Sequence, residues 1–127
     1  MKKILCICNH GNVRSAALKY LIWRLNGNSN IHNPKNIKYE SIAVGAHSTT
    51  DKSLKYFINW ADKVVDLSDD VESIQIKLRK MSKEKYIRFH IGKDIWRNSM
   101  NLELHDLLKN FVEELKNEME RFKKKSR

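Results

Sequence analysis

Two residues that could do chemistry together, Cys8 and Arg14, stand near the start of the chain, with five residues between them. A loop of this length can curl around one tetrahedral oxyanion, with its backbone N–H groups pointing inward. Arg14 can close the ring by bidentate contact with two of the oxygens. Cys8 supplies a potential nucleophile at the same place. The segment therefore predicts an oxyanion-binding loop that carries a thiol.

The surroundings of the thiol favour its thiolate form, because inward amides, a helix N-terminus and a guanidinium all stabilise negative charge. Ser15 could donate a hydrogen bond to that thiolate. The same groups would bind a dianion and stabilise its transition state. The alternative is that Cys8 is a buried thiol at a strand end and Arg14 a solvated helix residue. The predicted phosphate-binding residues form one stretch: Asn9, His10, Gly11, Asn12, Val13, Arg14 and Ser15.

Strands and helices alternate along the chain, which predicts a parallel sheet covered by helices on both faces. The strands are continuous apolar runs, and the helices show apolar residues at helical spacing. The predicted strands are 4–7, 37–44, 63–67 and 86–91. The predicted helices begin near 14, 51, 68 and 102, and the last of them runs to about 123.

Length and composition predict one domain over residues 1–127. The apolar fraction of 41% is well above that of a disordered chain. No apolar run approaches the roughly 20 residues that span a bilayer, and the short apolar start does not read as a signal peptide. We therefore expect no membrane association and a cytoplasmic location. The basic segment from about 122 to 127 is the one stretch for which disorder is expected.

The net charge of +10 favours anionic partners. Nucleic acid is among them, but no other sequence feature supports it. Cys6 and Cys8 are too few for a disulfide framework or a thiolate zinc site, and the histidines show no metal-ligand spacing. No metal and no cofactor are predicted.

The Cys-x5-Arg-Ser loop directly after the first strand, in a chain this short, resembles the low-molecular-weight protein tyrosine phosphatases, above all their compact bacterial and phage relatives. Residues 41–45 are similar to a Ser-Ala-Gly segment of that family. Residues 59–65 are similar to its Trp-Ala-Asp entry into the third strand, and residues 91–96 to its Asp-bearing loop before the last helix. The resemblance implies a three-layer α/β/α sandwich with a four-stranded parallel sheet in the order 2-1-3-4.

The resemblance also implies a reaction, the hydrolysis of phosphate monoesters and in particular of protein phosphotyrosine. Cys8 would attack phosphorus, Arg14 would bind the phosphoryl group, and Ser15 would support the thiolate. Asp94 would protonate the leaving oxygen and then act as base on the hydrolytic water. Expected partners are a phosphorylated protein or a small phosphomonoester, with phosphate, sulfate or vanadate as ligand or inhibitor.

The chain departs from the family pattern in ways that keep alternatives open. Gly11 and Val13 stand where the family has Asn and a second Cys, and Ile95 replaces the proline that follows the acid. Trp96 could form a wall of the substrate pocket or anchor the last helix in the core. Three other functions remain open: an arsenate reductase-like oxyanion enzyme, a non-catalytic module that binds phosphate or phosphoproteins, and a phosphoserine-directed relative that acts on protein tails.

Overall fold

The computed structural model describes residues 2–9, 13–26, 38–68, 72–90 and 98–125, and for residues 72 and 121–125 it describes the backbone only. Four strands and four helices alternate through these ranges, and a short 3-10 helix, Lys83–Lys85, precedes the last strand. The strands are β1 (Lys2–Cys8), β2 (Tyr39–Gly45), β3 (Lys63–Asp66) and β4 (Tyr86–Arg88). The helices are α1 (Arg14–Arg24), α2 (Asp51–Trp60), α3 (Glu72–Ser82) and α4 (Leu102–Lys125).

The four strands form one parallel sheet in the order β2-β1-β3-β4. Strand β1 lies inside this sheet, where its last residue, Cys8, pairs with Gly45 of β2. On the other side Ile7 pairs with Asp66 of β3. The predicted α/β fold, with four parallel strands in the order 2-1-3-4, is confirmed.

Helices cover the sheet on both faces because alternate residues of β1 point to opposite sides. Ile4 and Cys6 belong to a core formed with α1 and α4, whereas Leu5 and Ile7 belong to a second core formed with α2 and α3. All four side chains are fully buried. This double burial explains why β1 is apolar throughout its middle and shows no alternation of polar and apolar residues.

Helix boundaries follow local signals where these exist. Helix α2 begins after Thr50, whose side chain accepts a hydrogen bond from the Ser53 N–H at 3.2 Å. Strand β4 ends at Arg88 and is shorter than predicted. The Phe89 N–H still donates to the Asp66 carbonyl at 3.1 Å, but the strand does not continue to His90. Helix α4 continues to Lys125 and so includes part of the segment for which disorder was expected.

Among the described helices, none combines the length and the apolar character that a bilayer crossing requires.

Candidate functional site

The C-terminal end of β1 is fixed by both neighbouring strands. The Cys8 carbonyl accepts a hydrogen bond from the Ala46 N–H at 2.7 Å, and the Ile7 carbonyl accepts one from the Leu67 N–H at 2.7 Å. One residue further, the Asn9 carbonyl accepts from the His47 N–H at 3.0 Å. The carboxyl ends of parallel strands are where ligands bind in open α/β sheets. The cysteine at this edge therefore lies on backbone that is held rigidly on two sides.

A residue in the first turn of α1 contacts the side chain of the same cysteine. The Sγ of Cys8 and the Oγ of Ser15 are 3.1 Å apart, and both residues are almost completely buried. Val13, which precedes the helix, offers no side-chain acceptor to cap it, and the first turn contains no acidic residue. No carboxylate in the first turn of α1 therefore neutralises the positive end of the helix dipole, which lies at the same end of the helix as the contact with the thiol.

Arg14 is the first residue of α1, and only 1% of its surface is exposed. It is therefore not a solvated helix residue, which was the alternative interpretation. Burying a guanidinium costs several kcal/mol unless it meets acceptors or an anion. A buried guanidinium on the first residue of the helix that contacts the thiol gives this end of α1 a preference for negative charge.

The second cysteine, Cys6, lies two residues before Cys8 on the same strand and faces the same core. Its side chain is fully buried. Burial raises the pKa of the Cys6 thiol far above its usual range, and negative charge on Cys8 would add to this effect. Neither cysteine is in a disulfide. Cys6 is a packing residue in its protonated form.

The sequence interpretation missed a polar network at the ends of β3 and β4. The buried Asp66 carboxylate accepts hydrogen bonds from the Ser68 Oγ at 2.6 Å and from the Tyr86 hydroxyl at 2.7 Å. Arg88 lies 3.4 Å from the same carboxylate and donates to the Ser68 carbonyl at 2.5 Å. The Asp66 carboxylate also accepts a hydrogen bond from the Ser68 N–H at 2.9 Å, two residues further along the chain, as in an Asx turn.

This network lies on the opposite face of the sheet from Cys8. Asp66 pairs with Ile7, which faces α2 and α3, and paired residues of parallel strands point to the same side. Its role is therefore to join β3 to β4 and not to touch the thiol. The sequence signal that could have revealed it is an aspartate at the end of an otherwise apolar strand, where burial demands partners.

The remaining predicted site residues divide into two groups. Asn9, which is mostly buried, and Val13 lie in the described part of the chain, on either side of the loop. The others lie outside the described residues: His10, Gly11, Asn12, Asp94 and Trp96. The predicted acid, Asp94, and the predicted pocket wall, Trp96, therefore stay predictions.

Groups of three or more His, Cys, Asp or Glu side chains able to hold a metal ion do not occur among the described residues. What the described part of the site offers chemically is a thiol, a hydroxyl, a guanidinium and a helix N-terminus. The guanidinium and the helix N-terminus are suited to bind an anion, and the thiol is suited to attack it as a nucleophile.

Comparison with known proteins gives one fold relationship. No protein-family model matches the chain, and no curated protein matches it. The crystal structure of a YwlE mutant from Bacillus subtilis superposes with a TM-score of 0.60 at 14% sequence identity, over 91% of this chain and 99% of that one. At this identity the likeness shows the fold alone.

Proposed function

We propose that this protein hydrolyses phosphate monoesters through a phosphocysteine intermediate on Cys8, with protein phosphotyrosine as the substrate. The observation that carries the proposal is the 3.1 Å contact between the Cys8 Sγ and the Ser15 Oγ, together with the burial of Arg14, the residue before Ser15. A hydroxyl that donates to the sulfur stabilises the attacking thiolate. The guanidinium and the helix N-terminus stabilise the phosphoryl oxygens.

The reaction has two steps. The Cys8 thiolate attacks phosphorus, the phosphorus–oxygen bond breaks, and Asp94 gives its proton to the leaving oxygen. Water then attacks the phosphocysteine while the Asp94 carboxylate takes the proton, which releases inorganic phosphate and restores the thiolate. The role of Asp94 rests on the family resemblance of residues 91–96. Phosphotyrosine as substrate rests on the same resemblance.

An arsenate reductase is the less favoured function because of Cys6. That reaction uses further thiols to regenerate the nucleophile, and Cys6 is the one other cysteine in the chain. Its thiol is fully buried, and its pKa is raised by that burial. It is therefore neither accessible nor ionised enough to attack an adduct on Cys8.

The deciding experiment is turnover of para-nitrophenyl phosphate by wild-type protein and matched cysteine variants. Cys8→Ser should lose turnover to the background rate, because serine is not ionised at neutral pH. Cys6→Ser, two residues away on the same strand and equally buried, should keep the activity of the fraction that folds. A phosphate adduct on Cys8, trapped by acid quenching and located by mass spectrometry, should appear in wild-type protein and in Cys6→Ser but not in Cys8→Ser.

Three results would point elsewhere. Turnover that survives in Cys8→Ser would exclude the proposed nucleophile. Binding of phosphate or vanadate without turnover would favour the binding module. Normal turnover in Asp94→Asn would mean that the acid is another residue or that this leaving group needs none. Phosphotyrosine and phosphoserine peptides of identical flanking sequence then test the substrate, and we expect phosphotyrosine to be preferred.

A further inference from the structure

Strand β2 forms one edge of the sheet, and its hydrogen-bonding groups have a defined orientation. The Lys38 carbonyl and the Ala46 N–H, at its two ends, bond to β1 at 2.8 and 2.7 Å. Tyr39 instead bonds to the side chain of Asn26, which accepts from the Tyr39 N–H at 2.9 Å and donates to its carbonyl at 3.2 Å. Even-numbered residues of β2 therefore face β1, and odd-numbered residues face outward.

By this alternation the N–H and C=O groups of Ser41 and Ala43 point away from the sheet. Both residues are partly exposed. In the described part of the chain, no backbone group bonds to these outward donors and acceptors. Asn26 thus occupies the start of the edge at Tyr39, and within the described residues the stretch from Ser41 to Ala43 stays open. An open edge of this kind is a template for a further strand.

A groove runs beside this open edge on the α1 face of the sheet. Its volume is about 480 Å³, and most of its lining is apolar. The helix contributes side chains spaced by three or four residues, which puts them on one face of α1. The groove residues are Ala16, Lys19, Tyr20 and Trp23 of α1 together with Tyr39, Glu40 and Ser41 of β2. A strand added next to Ser41 would project every second side chain over this groove.

The charges around the groove indicate which kind of polypeptide it would bind. Lys19, Arg24 and Lys38 are exposed near it, and the Arg24 guanidinium lies 6.0 Å from the Tyr20 ring. Glu40 is the only acidic residue that lines the groove among the described residues. A second copy of the chain would bring a further +10 of like charge to the same place. An acidic polypeptide avoids that repulsion.

We propose that the Ser41–Ala43 edge and the adjoining groove bind an extended, acidic segment of another protein. Its backbone would pair with Ser41 and Ala43, its apolar side chains would enter the groove, and its carboxylates would face the basic rim. Because this surface is built from α1 and β2 alone, the proposal is independent of the phosphatase chemistry of Cys8.

A fluorescent nonapeptide of alternating glutamate and valine serves as the probe, with binding followed by fluorescence anisotropy. The probe should bind wild-type protein and bind more weakly as salt is raised. Trp23→Ala should weaken binding about tenfold, the effect of losing an aromatic anchor. Tyr56→Ala is the matched control, since Tyr56 is a 73% exposed aromatic residue on α2, and it should bind like wild type.

The strand pairing has its own test on both partners. Ala43→Pro removes one outward N–H and leaves the ladder to β1 intact, because proline is tolerated where the N–H faces solvent. It should also weaken binding about tenfold. If this variant fails to fold, the donors are removed from the peptide instead, by methylating alternate backbone nitrogens of the probe. The methylated probe should bind wild-type protein about as weakly as the unmethylated probe is expected to bind Ala43→Pro.

Three results would overturn the proposal. One is an absence of probe binding to wild-type protein at low salt. Another is equal affinity of the methylated and unmethylated probes. The third is a wild-type dimer in sedimentation that Ala43→Pro dissolves, because the occupant of the edge would then be a second copy of this chain.

Discussion

The Sγ of Cys8 lies 3.1 Å from the Oγ of Ser15, although seven positions separate the two residues in the chain. One of them ends the inner strand β1, and the other belongs to the first turn of α1. Both are buried, so water competes weakly for this contact. Within the proposed reaction the hydroxyl is a positioning and stabilising group for the thiolate, and its removal should slow attack on phosphorus.

Ser15→Ala should lower kcat for para-nitrophenyl phosphate by about 10- to 100-fold, because a hydrogen bond to a charged group contributes about 1.5–3 kcal/mol. KM should change less than kcat. Ser82→Ala is the matched control, since Ser82 is also buried but lies on α3, and its Oγ has no hydrogen-bond partner among the described residues. Equal kcat values in Ser15→Ala and wild type would remove Ser15 from the mechanism.

Arg14→Lys should lower kcat/KM by about 100-fold, the usual effect of losing a fitted transition-state donor. Lysine keeps the charge but cannot reach two phosphoryl oxygens with a planar fork. The affinity for vanadate, measured by inhibition, should fall as well. Arg24→Lys, at the exposed end of the same helix, provides the control and should behave as wild type. A wild-type rate in Arg14→Lys would mean that charge alone suffices.

Asp66→Asn should lower the free energy of unfolding by about 3 kcal/mol, because it removes the charge that Arg88 and Tyr86 share in a buried site. Tyr86→Phe removes one hydrogen bond from the same network and should cost about 1.5 kcal/mol. Chemical denaturation followed by circular dichroism measures both. Asp106→Asn, at an exposed aspartate of α4, is the control. Similar stabilities for the Asp66 and Asp106 variants would show that the network contributes little.

Stability at alkaline pH should depend on Tyr39. Burial, and then its hydrogen bond to Glu120, raise the pKa of Tyr39 to about 12, above the ordinary value of 10.0. Between these values the unfolded chain has lost the proton and the folded protein has kept it, so the free energy of unfolding falls as pH rises. Denaturation of Tyr39→Phe across the same range should show a shallower fall. Parallel curves for the two proteins would argue against this assignment.

Hydrogen peroxide should oxidise Cys8 without producing a disulfide to Cys6. Residues two apart on a strand are separated by about 6.6 Å and point the same way, so their Cβ atoms are too distant for a disulfide. Intact-mass spectrometry should detect no oxidised species that has lost two hydrogens. Added glutathione should instead form a mixed disulfide on Cys8, and dithiothreitol should reverse it. A Cys6–Cys8 disulfide in wild-type peptide maps would contradict the rigid β1 geometry.

The fold was predictable because its signals are local and repeated. The apolar run in β1 and the helical spacing of Leu54 and Ile58 in α2 each reflect burial of one element. Alternation of such elements then implies a parallel sheet. The strand order came from the family resemblance, since hydrophobic patterns do not say which strands are neighbours.

The site was predictable to the extent that it is contiguous in sequence. Cys8, Arg14 and Ser15 belong to one strand–loop–helix unit, so spacing alone brought them together. The Asp66 network was missed because its partners, Tyr86 and Arg88, are about twenty residues away and meet it only through β3–β4 pairing. The open edge of β2 could not be predicted from the sequence either, because it depends on which residues of β2 direct their backbone groups toward β1.

The two hydrogen bonds between Asn26 and Tyr39 also bear on self-assembly. The Asn26 amide pairs with β2 in the way that the backbone of a neighbouring strand would. It therefore shortens the part of this edge strand that could pair with identical chains. Amyloid-like growth requires a segment of about six consecutive pairing residues. By bonding to both outward groups of Tyr39, Asn26 leaves fewer than six residues of β2 for such pairing, so we expect it to disfavour aggregation without placing a charge on the surface.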